Sequence, residues 1–361
     1  MTRRHVLLAG AALALLGLCW WAFAGRSELV VYCAHDAIFA EKVLRDFEKR
    51  TGVRVAIRFD TEATKSLGLT ELLIREKDAP RCDVFWNNEL LGTLDLQRRG
   101  ILQPYRGSGF DRIPVGFKAP DGHWAGFAAR MRVYIFNIRS TQVEGGMSSA
   151  ALLARPKIAT LISVMRHWPA ETAIPPSLDL ARMGIAKPLY GTTLTHYSVL
   201  WNEWGGPKVQ EWHREWRRHN LREFNGNAAV KDAVAEGVCD AGFTDSDDFF
   251  EAKDEGKPVA MLPVRLESGA TICIPNTVAI IRGARHEGNA QKLVDFLLSE
   301  ETELALANSK SRQIPLGPVP AEQLPAEVRE LMEWAKEGVD LSRLGPARAA
   351  CLAWLKAEYL R

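Results

Sequence analysis

The stretch Val53-Arg54-Val55-Ala56-Ile57-Arg58-Phe59 decides the fold class of this chain. Its two valines, isoleucine and phenylalanine recur at every second position, which is the period of a β-strand with one buried face. A helix-like segment follows at residues 67–77, and a short apolar strand comes next at residues 83–86. Strands that alternate with helices of this length predict βαβ units and a largely parallel sheet.

The same alternation extends outward from this stretch in both directions. Before it, an apolar strand at residues 29–32 leads into a helical pattern at residues 37–50 that ends at Gly52. After it, strands are predicted at residues 132–137, 240–244, 259–262 and 271–281, with helices at 195–204, 208–219, 228–236 and 290–298. We therefore predict an α/β fold with two lobes, each a mostly parallel sheet flanked by helices.

The first 25 residues predict export. Arg3 and Arg4 precede an uncharged stretch at residues 6–25, and Ala22-Phe23-Ala24 offers the small residues that a signal peptidase prefers. Two arginines fit an ordinary Sec signal and also a twin-arginine signal, so both routes stay open. At about 20 residues, the stretch is also long enough to remain as a membrane anchor if it is not cleaved. We expect a periplasmic protein, either released or anchored.

Composition and charge exclude some function classes. The chain carries 46 Lys and Arg against 44 Asp and Glu, a net charge of +2, and has no basic tract of the kind that nucleic-acid binding needs. Nucleic acid is therefore not an expected partner. The five cysteines after the export segment are odd in number and widely spaced, which favours buried free thiols over disulfides.

Three short polar stretches lie where a strand-like run gives way to a helix-like one. They are residues 60–66, Asn87-Asn88-Glu89 and residues 190–196. Open α/β sheets bind ligands at such strand ends, and the N-termini of the following helices offer N–H groups to an anion. Helix capping is the alternative for each stretch. The candidate ligand-binding residues are Thr61, Thr64, Lys65, Ser66, Asn87, Asn88, Gly191, Thr192, Thr193 and His196.

Isolated polar residues outside those stretches extend the candidate set. Asn225-Gly226-Asn227 is a polar turn before a helix, Arg130 flanks a predicted strand, and Asn276 lies within another. Each is explained equally well by a ligand contact or by a turn or surface charge, and Arg130, Asn225, Asn227 and Asn276 are retained as candidates. Arg132 is interpreted as a surface charge.

Asp245-Ser246-Asp247-Asp248 is the strongest electrostatic feature of the chain. Three carboxylates within four residues repel one another unless they are solvated, cap a helix or share a cation. Asp248 fits the first turn of a solvated helix, where a negative charge is favourable. Asp245 directly follows a predicted strand, so we expect its side chain to point into the cleft.

The order of these motifs resembles that of the periplasmic substrate-binding proteins of ABC importers, of the type II group that includes the ferric-iron-binding proteins. The resemblance spans most of the chain after the export segment. It is carried by Leu29-Val30-Val31-Tyr32, Asp83-Val84-Phe85, Gly100-Ile101-Leu102-Gln103-Pro104, Gly126-Phe127-Ala128-Ala129-Arg130, Gly191-Thr192-Thr193, Asn225-Gly226-Asn227 and residues 309–315.

The resemblance implies a domain organisation and partners. Two lobes would be joined by crossing strands near residues 128–134 and 269–276 and would close over a ligand held between them. The expected segments are a signal peptide or anchor (1–25), lobe 1 (27–130 with 268–318), lobe 2 (131–267, with a variable insertion at 145–180) and C-terminal packing helices (319–361). The implied protein is a monomer without a catalytic cofactor that serves an ABC permease and its ATPase.

One departure from the ferric-binding pattern leaves two alternatives for the identity of the ligand. Those proteins usually coordinate iron with adjacent tyrosines after the strand that corresponds to residues 241–244, where this chain has aspartates. Carboxylates are also hard donors, so the resemblance favours Fe(III) as the transported ligand, with a bound anion completing its shell. The expected metal ligands are His35, Glu89, Asp245 and Asp247. Alternatively, the threonines, Lys65 and the helix N-termini bind an organic phosphate, phosphonate or carboxylate without metal.

Two other function classes compete with a transport protein. A cell-envelope enzyme would need an acid–base pair such as His196 with Thr193, but the sequence has no nucleophile elbow, zinc spacing or paired-carboxylate motif. A sensor domain would share the fold and would differ by an uncleaved anchor. We therefore expect a binding protein and no enzyme.

Overall fold

The computed structural model describes residues 28–60, 67–142, 146–166 and 179–359. The predicted export segment lies outside these residues. The strands of the described ranges are β1 (Leu29–Cys33), β2 (Val55–Phe59), β3 (Val84–Asn87), β4 (Leu102–Gln103), β5 (Ala125–Asn137), β6 (Met183–Ala186), β7 (Arg222–Phe224), β8 (Ala241–Asp245), β9 (Val259–Pro263) and β10 (Cys273–Ile281).

The α-helices lie mostly between these strands, as the alternation predicts. They are α1 (Ala37–Thr51), α2 (Leu67–Arg75), α3 (Leu91–Arg98), α4 (Ser149–Leu153), α5 (Pro156–Arg166), α6 (Gly191–Trp204), α7 (Gly206–Arg218), α8 (Asn227–Ala235), α9 (Ser246–Asp254), α10 (Glu287–Leu297), α11 (Glu300–Ala307), α12 (Ala326–Ala335) and α13 (Gly345–Tyr359).

Two sheets share one long strand. The hydrogen-bonded order is β2-β1-β3-β10-β5-β8-β6-β7, with β4 added to β10 and β9 added to β5. Strand β1 pairs in parallel with β2 and β3, and β6 pairs in parallel with β7 and β8. Antiparallel pairs occur where β5 and β10 run between the two parallel groups. The result is the predicted pair of α/β lobes.

Strand β5 joins the lobes. Its residues from Ala125 to Met131 pair with β10, and those from Arg132 to Asn137 pair with β8 and β9. All 13 of its residues are buried. The sequence pattern predicts only the second half of this strand, because a strand covered on both faces does not alternate apolar with polar residues.

The predicted surface insertion at residues 145–180 contains structure that contacts the core. Helices α4 and α5 bury Leu152, Ile158 and Leu161 within one hydrophobic cluster of the protein. Proline usually interrupts a helix, but Pro156 occupies the first position of α5, where a backbone N–H would have no partner within the helix. The described part of this segment is therefore helical and packs against the core, and its variability stays a prediction.

The five cysteines of the described ranges are buried thiols outside disulfides, as expected. They are Cys33, Cys82, Cys239, Cys273 and Cys351. Burial raises the pKa of the Cys273 thiol and that of the Cys351 thiol to about 12, so neither is a reactive thiolate near neutral pH.

Helices α12 and α13 pack against the lobes. Leu331 and Trp334 of α12 and Leu355 of α13 are buried in hydrophobic clusters. Trp354 contacts the rings of Trp201 and His213, which belong to α6 and α7. In the described ranges, no helix combines the length and the apolar character that a membrane span requires.

The His213 imidazole in this aromatic cluster predicts a measurable pH dependence of stability. Burial, assisted by the charge of Arg217, lowers its pKa from 6.5 to about 4. Between pH 6.5 and pH 4, His213 is therefore protonated in the unfolded chain and neutral in the folded chain. The free energy of unfolding is unaffected by this group above pH 6.5 and falls as the pH drops towards 4. The loss from this group amounts to about 3 kcal/mol.

We expect His213→Phe to flatten the pH dependence of the free energy of unfolding between pH 6.5 and 4, measured by urea denaturation. The matched control is His219→Phe, which removes a half-exposed imidazole at the end of the same helix. Equal slopes in the His213 variant and the unaltered protein would contradict the assignment.

Candidate functional site

A pocket with a cavity volume of about 30 Å³ lies between the two lobes at the strand ends. One lobe contributes Asp36 after β1, Asn88 after β3 and Arg130 from β5. The other contributes residues from three strand-to-helix junctions: Ala186, Lys187, Tyr190, Gly191, Thr192, Thr193, Asn225, Gly226, Asn227, Asp245, Asp247 and Asp248. The position at the strand ends and the polar lining suit a small polar ligand or an ion.

Three helices begin at this pocket. Helix α6 starts at Gly191, α8 at Asn227 and α9 at Ser246. Gly191 has a φ of 52°, a left-handed conformation that a residue with a Cβ rarely adopts, and it allows the chain to turn sharply from Tyr190 into α6. The first N–H groups of each helix carry partial positive charge, so their convergence favours an anionic group in the pocket.

A buried ion pair holds these three helix starts together. Arg132 is fully buried, and its guanidinium donates to Asp245 Oδ1 at 3.0 Å, to Asn227 Oδ1 at 3.0 Å and to Thr193 Oγ1 at 3.1 Å. The other carboxylate oxygen, Asp245 Oδ2, accepts from Thr192 Oγ1 at 2.6 Å and from Asn227 Nδ2 at 3.0 Å. The interpretation of Arg132 as a surface charge is wrong, because strand β5 carries it into the interior.

The second arginine of β5 faces the pocket. Arg130 NH2 lies 2.9 Å from His35 Nδ1 and 3.0 Å from Asn276 Oδ1, while its Nε lies 3.4 Å from Asp247 Oδ2. The last separation is an ion pair without hydrogen-bond geometry, so Nε has no hydrogen-bond partner among the described residues. Burial lowers the pKa of Arg130, but the carboxylates facing it, first of all Asp247, outweigh burial and raise that pKa.

Three carboxylates meet at the start of α9. Asp245, Asp247 and Asp248 each offer an oxygen within 4.8 Å of the other two. Asp248 Oδ2 accepts from Thr244 Oγ1 at 2.6 Å, and Asp247 Oδ1 accepts from the Asp248 N–H at 3.2 Å. This separation is compatible with one shared hard cation.

Two of the four expected metal ligands lie outside this cluster. Both ring nitrogens of His35 have hydrogen-bond contacts, Nδ1 with Arg130 and Nε2 with Gln313 Nε2 at 2.8 Å, and the ring stacks on Trp86 and Phe39. The carboxylate of Glu89 accepts from the Leu91 and Gly92 N–H groups and so caps α3. Neither side chain lines the pocket, and these contacts argue against both as metal ligands.

Three further candidates are buried behind the pocket. Asn87 Nδ2 donates to Thr93 Oγ1 at 3.2 Å, and Asn276 joins Arg130 to Trp86 through its Oδ1. His196 packs against Phe243 and lies 3.5 Å from Arg132 Nε. Burial and the charge of Arg132 hold the pKa of His196 well below its usual range, so it stays neutral. These residues support the site without lining it.

The remaining candidates divide into two groups. Asn88, Arg130, Gly191, Thr192, Thr193, Asn225, Asn227, Asp245 and Asp247 all line the pocket. Thr61, Thr64, Lys65 and Ser66 lie outside the described residues, and their role stays a prediction.

Sequence reasoning missed two charged residues of the pocket. Asp36 lies just after β1, and Lys187 directly follows β6. Strand β6 is only four residues long, with the sequence Met-Gly-Ile-Ala, and therefore carries almost no strand signal. Recognition of β6 would have marked Lys187 by the same strand-end rule that marks Asn88.

The asparagine Asn88 has an incomplete set of hydrogen bonds. Its side chain is buried, and its Oδ1 has no partner among the described residues although it lines the pocket. A buried acceptor without a partner loses the free energy of its hydration, so a ligand that supplies a donor or a cation there is favoured.

Comparison with known proteins agrees with this geometry. The chain is 23% identical over 334 residues to Iron uptake protein A1 of Synechocystis sp., covering 90% of this chain and 85% of that protein. Iron-bound HitA from Pseudomonas aeruginosa has a similar fold, with a TM-score of 0.74, 19% identity and coverage of 91% of this chain and 98% of HitA.

A third similar protein was solved with a different ligand. The periplasmic binding protein AfuA from Actinobacillus pleuropneumoniae, with fructose-6-phosphate bound, superposes with a TM-score of 0.68 at 18% identity, covering 92% of this chain and 99% of AfuA. The predicted two-lobed fold is thereby confirmed. Residues 42–334 match the bacterial extracellular solute-binding protein family, and the chain belongs to that family of binding proteins.

Proposed function

We propose that the protein captures Fe(III) together with a small anion in the interlobe pocket and delivers it to an ABC permease. The observation that carries this proposal is the cluster of Asp245, Asp247 and Asp248, whose oxygens lie within 4.8 Å of one another in that pocket. Carboxylate oxygens are hard donors and suit a small, highly charged cation. The similarity to Iron uptake protein A1 and to iron-bound HitA supports the same cargo.

The balance of charge in the pocket favours a cation. Among the described residues that line it, Asp36, Asp245, Asp247 and Asp248 face the two cations Arg130 and Lys187. Arg132 forms an ion pair with Asp245 from behind the pocket and reduces the negative charge that Asp245 offers to a metal. Tyr190 lines the same pocket, and its hydroxyl is a further hard oxygen. We therefore replace His35 and Glu89 in the proposed ligand set by Asp36 and Asp248.

The anion has its own subsite in this proposal. The starts of α6, α8 and α9 present positive charge to the pocket, together with Lys187 and the Nε of Arg130, which has no hydrogen-bond partner among the described residues. An anion held there would complete the metal shell from the side opposite the carboxylates.

Delivery follows from the two-lobed architecture. The ligand contacts both lobes, so it stabilises the closed form by the difference between its contacts in the closed and open forms. In this proposal, the closed form is the one that docks on the permease, and the export segment places the protein in the periplasm. The bounds that we propose for the lobes are residues 27–130 with 268–318 and residues 131–267.

A second candidate cargo is a phosphorylated organic anion without metal. Asn88 Oδ1 is a buried acceptor without a partner among the described residues, and a sugar hydroxyl would supply the missing donor. The helix starts and Lys187 would hold the phosphate. The fructose-6-phosphate found in AfuA supports this alternative.

The carboxylate cluster gives the first test of the cargo. We expect protein purified without chelator to carry one iron per chain by elemental analysis and native mass spectrometry. Asp247→Asn combined with Asp248→Asn should weaken iron uptake from ferric citrate by about 100-fold, because two anionic ligands become neutral. The control is Asp232→Asn, which changes an exposed carboxylate on α8 outside the pocket. Equal iron affinity in the double variant and the control would exclude the cluster as the metal site.

Binding of a phosphate ester in the absence of metal separates the two cargoes. If the cargo is an organic phosphate, Lys187→Ala should weaken calorimetric binding of fructose 6-phosphate about tenfold in the presence of a chelator, because one charge-assisted hydrogen bond is lost. Lys208→Ala, on the exposed face of α7, is the matched control. A chelator-treated protein that binds no phosphate ester leaves the ferric proposal as the one supported.

A further inference from the structure

The side chains of Phe127 and Arg130 lie on the same face of β5, although a regular strand would place them on opposite faces. The ring of Phe127 lies 5.2 Å from that of Trp86, and Trp86 in turn lies 5.6 Å from His35, which contacts Arg130. Phe127 and Arg130 are three residues apart, so in a regular strand they would point to opposite faces. Here both reach the same Trp86–His35 stack.

A β-bulge at Ala128 explains why Phe127 and Arg130 lie on the same face of β5. Phe127 pairs with Asn276 and Ala129 pairs with Pro275, so one step along β10 spans two steps along β5. The extra residue, Ala128, has a φ of 42°, an uncommon conformation for a residue other than glycine. A bulge of this kind redirects the side chains that follow it, and it turns Arg130 towards the pocket.

Buried polar groups hold the bulge in place. The N–H of Ala128 donates to Glu303 Oε1 at 3.2 Å, and its carbonyl accepts from Asn276 Nδ2. Glu303 is itself fixed by the N–H groups of Leu316 and Gly317 at 2.8 and 3.0 Å. A strained backbone persists only where its surroundings determine it in this way, and such sites concentrate at functional positions.

Asn276 connects the bulge to the arginine. Its amide nitrogen holds the Ala128 carbonyl and Gln313 Oε1, while its Oδ1 accepts from Arg130 NH2 at 3.0 Å and from Trp86 Nε1 at 3.3 Å. The two donors to Oδ1 cannot act as acceptors, so the orientation of the amide is determined. One buried side chain therefore fixes the backbone at 128 and the guanidinium at 130.

We propose that Asn276, through the hydrogen bond that its Oδ1 accepts from Arg130, is the positioning residue that orients this guanidinium for the anion of the cargo. It does not line the pocket and acts only through Arg130. The inference rests on the proposed function in one respect, namely that Arg130 meets an anion. The orientation of Arg130 itself can be tested in the ligand-free protein.

The ligand-free test is the NMR spectrum of the Arg130 guanidinium. We expect separate, slowly exchanging NH2 signals in the unaltered protein, because Asn276 and His35 restrain the group, and we expect Asn276→Leu to merge or broaden them. Asn276→Asp retains Oδ1 as an acceptor and should keep the signals separate even though it removes the donor to Ala128. Unchanged Arg130 signals in the Leu variant would overturn the proposal.

Binding of ferric citrate gives the second measurement. Asn276→Leu should weaken it about tenfold, and the double variant with Arg130→Met should bind no more weakly than Arg130→Met alone, because both changes remove the same interaction. Val278→Ala, a buried apolar truncation on the same strand, should lower the melting temperature and leave affinity unchanged. Additive losses in the double variant would contradict a positioning role. An unaltered protein that fails to bind ferric citrate would count against the proposed cargo, while the NMR result still decides the positioning role.

Discussion

The buried guanidinium of Arg132 is the interaction on which the pocket depends. It reaches Asp245, Asn227 and Thr193, which belong to three separate strand-to-helix junctions of one lobe. Each junction alone could rotate or fray, but a shared charged partner fixes their relative positions. Removal of one member of such a buried pair costs about 3–5 kcal/mol because the other charge is left without compensation. The arrangement of helix starts is therefore tied to one residue of β5.

Strand β5 extends this constraint to both lobes. Arg130 and Arg132 lie two residues apart on the same face, as the period of a strand requires. Arg130 donates a hydrogen bond to Asn276, in the lobe that carries the Ala128 bulge. Arg132 donates hydrogen bonds to Asn227 and Thr193, in the lobe that carries α6, α8 and α9. The crossing strand thus supplies the connection between the lobes and also the cations that balance the aspartates of the cleft.

Local sequence signals were enough to predict part of this site. Thr192, Thr193 and Asn227 follow strands and precede helices, and the rule that such junctions line ligand pockets identified them. The same rule missed Lys187, because the strand before it is too short to recognise. The environment of His35 was beyond local reasoning, since one of its ring nitrogens contacts Gln313, 278 residues away. Long-range partners of this kind emerge only when the lobes are folded.

The ion pair between Arg130 and Asp247 explains why a metal cargo would require an anion. Their closest atoms are 3.4 Å apart, so in the ligand-free pocket each neutralises the other. A cation that binds Asp247 takes over the neutralising role, and Arg130 is left as a buried charge that must find a new partner or lose the free energy of its hydration. An anion at the helix starts, beside the unpaired Nε of Arg130, satisfies both needs. For the proposed ferric cargo, cation and anion would therefore bind more favourably together than apart, and the same exchange would couple their binding to the contact between the two lobes.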